Sequence, residues 1–377
     1  MQITKKSNRE ELKKYTGRLA PSPSGRMHLG NVFSFLIAWA DARKNSGELI
    51  LRIDDLDDRC KNASFQETLI DDLKWLGLDW DNGPIYQSSR IDVYEEVWHA
   101  FQKHQHIYPC FCSRADLHAA SAPHASDGTP IYSGKCRSLT SYESNELATK
   151  KKPAYRVEVP NERVGIHDRL QGFFAQNLAK ECGDMILRRS DGVFSYQFTN
   201  AIDDALLGVN TIIRGNDLLT SAPREVWLIS KLLKIMPDLN KSSQLLDLQS
   251  MSDFQIESKT NNLNCRPNFN DKLTEAHSQY KSDLKSKVSL SSEIDFVHVP
   301  MLVNESGQRL AKRDKSLNLG EIKNTGAKPE DVVGTIAQLL GLTLNEKMTA
   351  QEFKDEFRID LLLNKSQITV PSNIFFV

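Results

Sequence analysis

Apolar and polar positions along the chain follow two alternating rhythms. Between Val32 and Arg43 apolar residues recur at helical spacing, and the pattern stops at Gly47, which predicts a helix over 31–46. Residues 49–53 (Leu-Ile-Leu-Arg-Ile) form a short apolar strand that ends in the acids Asp54, Asp55, Asp57 and Asp58. Further helices are predicted over 64–76, where Ser64 and Glu67 have capping-box spacing, and over 93–104. Strand–helix–strand–helix order predicts an α/β fold with a parallel, doubly wound sheet. Ligands of such sheets sit at the carboxyl ends of the strands, where Asp54 and the loop around Ser22 would lie.

The rhythm breaks over 108–149, a stretch with short loops that reads as an insertion, and resumes as a strand at 155–159. Residues 198–204 and 211–215 each read as a buried strand followed by a functional turn, and 224–233 as a helix. From 234 to 295 the chain is rich in Ser, Asn, Lys, Asp and Gln, has no glycine, and lacks sustained periodicity. That predicts a poorly ordered or loosely helical insertion. Order returns at 298–303, a basic run follows, and a helix is predicted over 329–340. No internal repeat is present. The organisation expected is an extension 1–15, half of a Rossmann-type body 16–107, an insertion 108–185, the second half 186–233, a polar insertion 234–296, and a C-terminal segment 297–377.

Composition narrows the function classes. A length of 377 residues exceeds one typical domain, and 40% hydrophobic residues suffice for real cores. A net charge of −1 excludes coating nucleic acid by bulk charge, so any such contact needs local basic patches. The polar start Met1-Gln2-Ile3-Thr4-Lys5-Lys6 is followed by no apolar segment, and no run approaches the roughly 18–20 apolar residues of a membrane span. A cytoplasmic protein without a membrane partner is expected. Cys110, Cys112 and Cys136 cluster while Cys60, Cys182 and Cys265 are scattered, which is no secreted disulfide framework.

The chemistry concentrates at 17–31, Gly-Arg-Leu-Ala-Pro-Ser-Pro-Ser-Gly-Arg-Met-His-Leu-Gly-Asn. A strand, a Pro/Gly loop and a helix start gather backbone N–H groups at one point, a ready phosphate site, and His28 adds a donor. A purely structural turn is the plainer alternative. Pro-x-Pro-x-Gly followed by His-x-Gly resembles the first signature of class I aminoacyl-tRNA synthetases, and Arg-x-Ala-Pro-Ser-Pro-Ser-Gly resembles their glutamyl branch. The resemblance implies that His28 stabilises the charged α-phosphate of ATP in the transition state. It also implies that Gly30 lets adenine approach the backbone and that Asn31 belongs to the ATP site.

Leu310-Ala311-Lys312-Arg313 loosely resembles the second signature of that class, a mobile lysine loop, with Ala311 replacing the usual serine. Lys312 would then sit on the phosphates, with Lys315 the substitute if the register differs; the plainer alternative is a solvated basic run. Glutamate recognition needs an acid for the ammonium and at least one arginine for the carboxylates. The resemblance assigns Arg18, Ser22, Asp54, Tyr196 and Arg214 to this pocket. Arg52-Ile53-Asp54-Asp55 departs from the family's Arg-x-Glu-Asp, so Asp54 is one methylene shorter.

Three thiols in a loop-rich insertion favour structural Zn²⁺. The residues alone point to a histidine, His118 or His124, as the fourth ligand. Cys-x-Cys followed by Tyr-x-x-x-Cys instead resembles a truncated branch of the family, which implies Cys110, Cys112, Tyr132 and Cys136. That branch activates L-glutamate with ATP and Mg²⁺ without tRNA, then transfers it to queuosine at the wobble position of tRNA(Asp), and acts as a monomer. Too few residues follow Lys312 for the anticodon-binding region of full-length members, so none is expected here. Two rivals stay open: a truncated enzyme charging the 3′ end of tRNA(Glu), and a non-catalytic RNA-binding module with a decayed site.

Overall fold

The computed structural model describes residues 14–117, 131–239, 288–290, 294–310 and 318–371. β1 (Thr16–Leu19) runs into the Pro/Gly loop, α1 (Leu29–Lys44) follows, and β2 (Glu48–Ile53) returns parallel to β1 with Leu19 opposite Leu51. α2 (Ala63–Trp75) leads to β3 (Asn82–Tyr86), parallel to β2, and α3 (Ile91–His104) leads to β4 (Ile107–Cys110). Next come α4 (Arg114–Leu117), α5 (Ser141–Lys150), β5 (Ala154–Val157), β6 (Arg163–Asp168), β7 (Gly172–Asn177) and β8 (Met185–Arg188). α6 (Tyr196–Leu206), β9 (Thr211–Gly215) and α7 (Ala222–Leu239) return to the body. The chain closes with β10 (Val288–Leu290), β11 (Asp295–Val299), β12 (Met301–Val303), α8 (Leu319–Asn324), α9 (Pro329–Leu340), α10 (Ala350–Glu356) and β13 (Gln367–Thr369).

The parallel, doubly wound core expected from the sequence is present in two adjoining pieces. One sheet has the order β1-β2-β3; in the other, β11 lies between β9 and β6 and is parallel to both. The pieces meet at β1 and β9, where Asn210 N donates to Thr16 O at 3.0 Å and Arg18 Nη1 to Ile213 O at 3.3 Å. β4, β5 and β8 form a separate antiparallel sheet, which carries the cysteine-bearing segment. Fully buried Leu19, Phe33, Leu36, Leu51 and Ile53 pack one core under α1, and Tyr94, Trp98, Phe101 and Phe198 pack a second between α3 and α6.

Three local readings change. Residues 198–204 lie in helix α6, not in a strand. All seven are buried, and Phe198, Ala201, Ile202, Ala205 and Leu206 recur at helical spacing, a stripe that the strand reading passed over because buried polar residues fill the opposite face. Asp203 and Asp204 account for its polar part: Asp203 accepts from Arg90 Nε at 2.8 Å and Tyr94 Oη at 2.9 Å, and Asp204 from Arg52 Nη1 at 2.7 Å. The cap of α2 is Asn62, whose Oδ1 accepts from Ser64 N at 3.0 Å, so Ser64 is already inside the helix and the Ser64/Glu67 box does not form. α7 runs on to Leu239, past the predicted end at 233 and into the start of the polar insertion. Most of that insertion, residues 240–287 and 291–293, lies outside the described residues, as do His118, His124, Cys265, Ala311, Lys312, Arg313 and Lys315.

The C-terminal segment packs onto the opening loop. Leu319 N donates to Met27 O at 2.8 Å, and buried Asp72 of α2 accepts from Lys323 Nζ at 2.5 Å and from Arg26 Nη1 at 3.4 Å. α8, α2 and the loop 20–27 are thereby tied at one carboxylate.

Candidate active site and metal-binding cluster

The carboxyl ends of β1, β9 and β11 open into one cleft of about 330 Å³, whose wall includes Arg18, Ser22, His28, Gly30, Tyr196 and Arg214. Of the expected nucleotide and glutamate residues among those described, Asn31 also lines it, while Asp54 does not. Asp54 N donates to Pro21 O at 3.0 Å, fixing the loop against the end of β2. His28 caps α1 in extended conformation, and its N–H donates to Asn31 Oδ1 at 3.3 Å. Asn31 N and Val32 N donate to the His28 carbonyl at 2.8 and 3.2 Å, and the positive end of the helix dipole lies at the part of the cleft lined by His28, Gly30 and Asn31. A Cβ on Gly30 would stand 3.1 Å from Cε1 and Nδ1 of the His28 ring. Glycine there leaves room for the imidazole to lie over the first turn.

Two arginines form the opposite wall, 6% and 7% exposed. Arg18 pairs with Asp204 at 3.5 Å. Arg214 donates through Nη1 to Glu225 at 2.5 Å and through Nε to His298 Nε2 at 3.0 Å, leaving its buried Nη2 without a hydrogen-bond partner among the described residues. A planar guanidinium with one free edge beside a cleft suits a carboxylate. Tyr196, at the first turn of α6, is half-exposed and borders both this cleft and a second hollow lined by Arg156, Asp184 and Arg224.

Asp54 lies behind the cleft wall. Fully buried Arg52 reaches it through Nε at 2.7 Å and Nη2 at 3.3 Å. Burial pushes the Asp54 carboxyl up to about 6, and Arg52 opposes that push. Its charge acts on the Tyr196 phenol, which desolvation first and Asp54 second move upward. The shorter aspartate is thus committed to Arg52, with electrostatic reach toward the pocket. Across the mouth, Arg309 pairs with Asp217 at 2.6 Å, both lining the cleft. This brings the chain to the cleft edge just before Lys312.

Sequence reasoning missed Arg52, Asp203, Asp204, Glu225 and His298. Arg52 stands in the Arg-x-Glu-Asp-like stretch but was given no role there, and Glu225 and His298 belong to no motif with fixed spacing. The acid run around 203 was visible but was read onto a strand.

The cysteines converge as expected. The Sγ atoms of Cys110, Cys112 and Cys136 all lie within 4.8 Å of one another. Tetrahedral zinc with Zn–S bonds near 2.3 Å brings its sulfurs to about 3.8 Å, close to the 3.7 Å between Cys112 and Cys136. Tyr132 Oη sits at the same point, accepting from Cys136 N at 2.8 Å. Arg156 donates through Nε to Cys110 Sγ at 3.3 Å, and its guanidinium covers the Tyr132 ring at 3.8 Å. Burial pushes the Cys112 thiol up to about 12, with the neighbouring Cys110 adding to it. Cys110 is held below its usual value despite burial, by hydrogen bonds from the Cys112 backbone, Tyr132 and Arg156. A soft cation would relieve such crowding of thiols.

Gly183 seats Tyr132. Its φ is +71°, and a Cβ would meet Tyr132 N and O at 2.7 Å, so only glycine allows the bridge between these two backbones. Buried Asp184 then anchors the cluster to its sheet, accepting from Arg137 Nη2 at 2.7 Å, from Val159 N at 3.1 Å and from Tyr108 Oη.

The fold and the cleft define a class I tRNA synthetase catalytic body. Residues 14–251 match the family described as "tRNA synthetases class I (E and Q), catalytic domain", and the chain belongs to that family. It is therefore a ligase. A relative from Symbiobacterium thermophilum, named glutamyl-Q tRNA(Asp) synthetase, is 36% identical over 339 residues, covering 86% of this chain and 86% of the relative. One of the same name from Nitratidesulfovibrio vulgaris is 34% identical over 339 residues with the same coverage. A solved glutamate tRNA ligase from Elizabethkingia meningosepticum superposes with a TM-score of 0.68 at 21% identity, covering 96% of this chain and 68% of that one, which establishes the shared fold. No helix among the described residues is long and apolar enough to cross a membrane.

Proposed function

We propose that the chain activates L-glutamate with ATP, without tRNA, and passes the glutamyl group to the queuosine of tRNA(Asp). The observation that carries the first half is the pair Arg18 and Arg214, both buried, on the wall facing the His28 helix start. One side of the cleft suits carboxylates and the other a polyphosphate. The glutamate α-carboxylate attacks the ATP α-phosphorus in line, forming the acyl–phosphate bond as the bond to pyrophosphate breaks. His28, the first-turn N–H groups of α1 and Lys312 meet the charge that develops on the phosphate oxygens. Mg²⁺ carried with ATP supplies neutralisation of the phosphates. Arg18, Ser22 and Arg214 orient the carboxylates, Tyr196 closes the pocket mouth, and the Asp54 charge, which reaches Tyr196, attracts the ammonium. A hydroxyl of the queuosine cyclopentene diol then takes the glutamyl group and AMP leaves.

The names of the relatives support the acceptor. Cys110, Cys112 and Cys136, with the Tyr132 oxygen, would hold Zn²⁺, which supplies a cross-link between two loops of the insertion. The domain divisions expected from the sequence, a cytoplasmic setting and a monomer belong to the same reading.

ATP–pyrophosphate exchange with glutamate, run with and without tRNA, tests it. Exchange without tRNA, followed by stable transfer to queuosine-bearing tRNA(Asp), is the expected result. Exchange that requires tRNA(Glu) indicates charging of that tRNA, and no exchange under any condition overturns the enzymatic reading.

A further inference from the structure

We infer that His298 is a positioning residue for substrate carboxylate recognition: locked by Asp168, its imidazole holds Arg214 so that Nη2 stays available to the cleft. This rests on the glutamate reading above. His298 is the next-to-last residue of β11 and is fully buried. Its backbone N donates to Asp168 Oδ2 at 2.9 Å, and its Nδ1 lies 2.6 Å from the same oxygen. Asp168 Oδ1 is occupied by the N–H groups of Leu170 and Gln171, each at 2.9 Å. The carboxylate is therefore saturated and fixed.

Arg214 Nε can only donate, so His298 Nε2 must accept. The ring is then neutral, with its proton on Nδ1 toward Asp168. Burial first, and then the Arg214 charge, hold its pKa below the ordinary histidine value. On the far side Glu225 takes Nη1. A guanidinium is rigid and planar, so fixing Nε and Nη1 leaves Nη2 a single direction. The Phe296 ring lies parallel to the His298 ring, centroids 5.9 Å apart with planes 4° apart, on the same strand. Three strands and a helix thus converge on one arginine edge: β6 through Asp168, β11 through His298, β9 through Arg214 itself, and α7 through Glu225.

The test compares His298→Gln with His298→Asn in glutamate-dependent exchange at pH 8. Glutamine places its oxygen where Nε2 stood and still accepts from Arg214. Asparagine reaches Asp168 but ends short of Arg214. The expected result is a KM for glutamate near wild type in the Gln variant and raised about tenfold or more in the Asn variant, with KM for ATP unchanged in both. Equal effects of the two variants on glutamate KM, or parallel changes in both KM values, overturn the inference. Wild-type protein with no glutamate-dependent exchange fails the parent reading instead. A measurement on unaltered protein guards against variants that do not fold: nitrogen NMR of histidine-labelled protein should show His298 neutral, with the proton on Nδ1. A doubly protonated ring, or a proton on Nε2, overturns the inference on its own.

Discussion

The Arg156 guanidinium lies 3.8 Å above the centre of the Tyr132 ring while donating to the Cys110 thiol at 3.3 Å. One cation therefore serves both the thiol and the aromatic residue proposed to share a metal. Outer contacts of this kind change metal affinity by about 10–100-fold. Arg156→Ala should weaken zinc binding by that factor, read by competition with a chromophoric chelator. Chelator alone should lower the melting temperature of the wild type. Unchanged affinity in the variant would show that Arg156 only packs.

Gly30→Ala separates activity from stability. Alanine is the better helix former by about 0.5–1 kcal/mol, so the first turn of α1 should be no less stable. Its Cβ would nevertheless crowd the His28 ring at 3.1 Å. Pyrophosphate exchange should fall about tenfold or more with an unchanged or slightly raised melting temperature. A parallel loss of both would mean that the residue is structural.

Lys312→Ala should cut exchange at least about tenfold, since a charge aimed at a transferring phosphoryl group is worth a few kcal/mol. The effect should fall on kcat and leave the KM for glutamate in place. Lys315→Ala is the control for register, and the larger loss identifies the phosphate-facing lysine.

Asp54 predicts two opposite pH trends. Its folded pKa of about 6 lies above the ordinary carboxylate value. The folded chain therefore binds the proton first, and the contribution of Asp54 to stability is greatest in acid and declines as pH rises from about 4 to about 6. Attraction for an ammonium needs the carboxylate, so glutamate affinity should rise over the same range and level off above about 6. Asp54→Asn should flatten both curves. A glutamate KM in the wild type that does not vary between pH 5 and 7 would remove Asp54 from the pocket.

Much of this was legible because phosphate chemistry is read from local spacing. The strand, loop and helix around His28 and the thiols at 110, 112 and 136 sit in short patterns, while Arg18 and Arg214 came from the family resemblance; the structure puts Arg18 and Arg214 on the His28 cleft and gathers the thiols in a separate cluster. What was not legible depends on distant partners. Asp204 of α6 meets Arg52 of β2 across 152 residues of sequence, and His298 meets Arg214 only because β11 enters beside β9. The helix α6 was legible by contrast, since Phe198, Ala201, Ile202, Ala205 and Leu206 keep helical spacing, and the strand reading gave that spacing too little weight against the buried polar residues between them. The commitment of Asp54 to Arg52 follows from a bidentate geometry that spacing alone does not reveal.

The position of β11 between β6 and β9 also sets an order of events during synthesis. Both neighbours leave the ribosome well before it, separated by α7 and the polar insertion. At about 5–20 residues per second, several seconds of synthesis separate β9 from β11. Arg214 has neither His298 nor a finished wall until then. The arginine edge is complete only once β11 is made, so a ribosome-bound chain stopped before residue 294 should bind no glutamate.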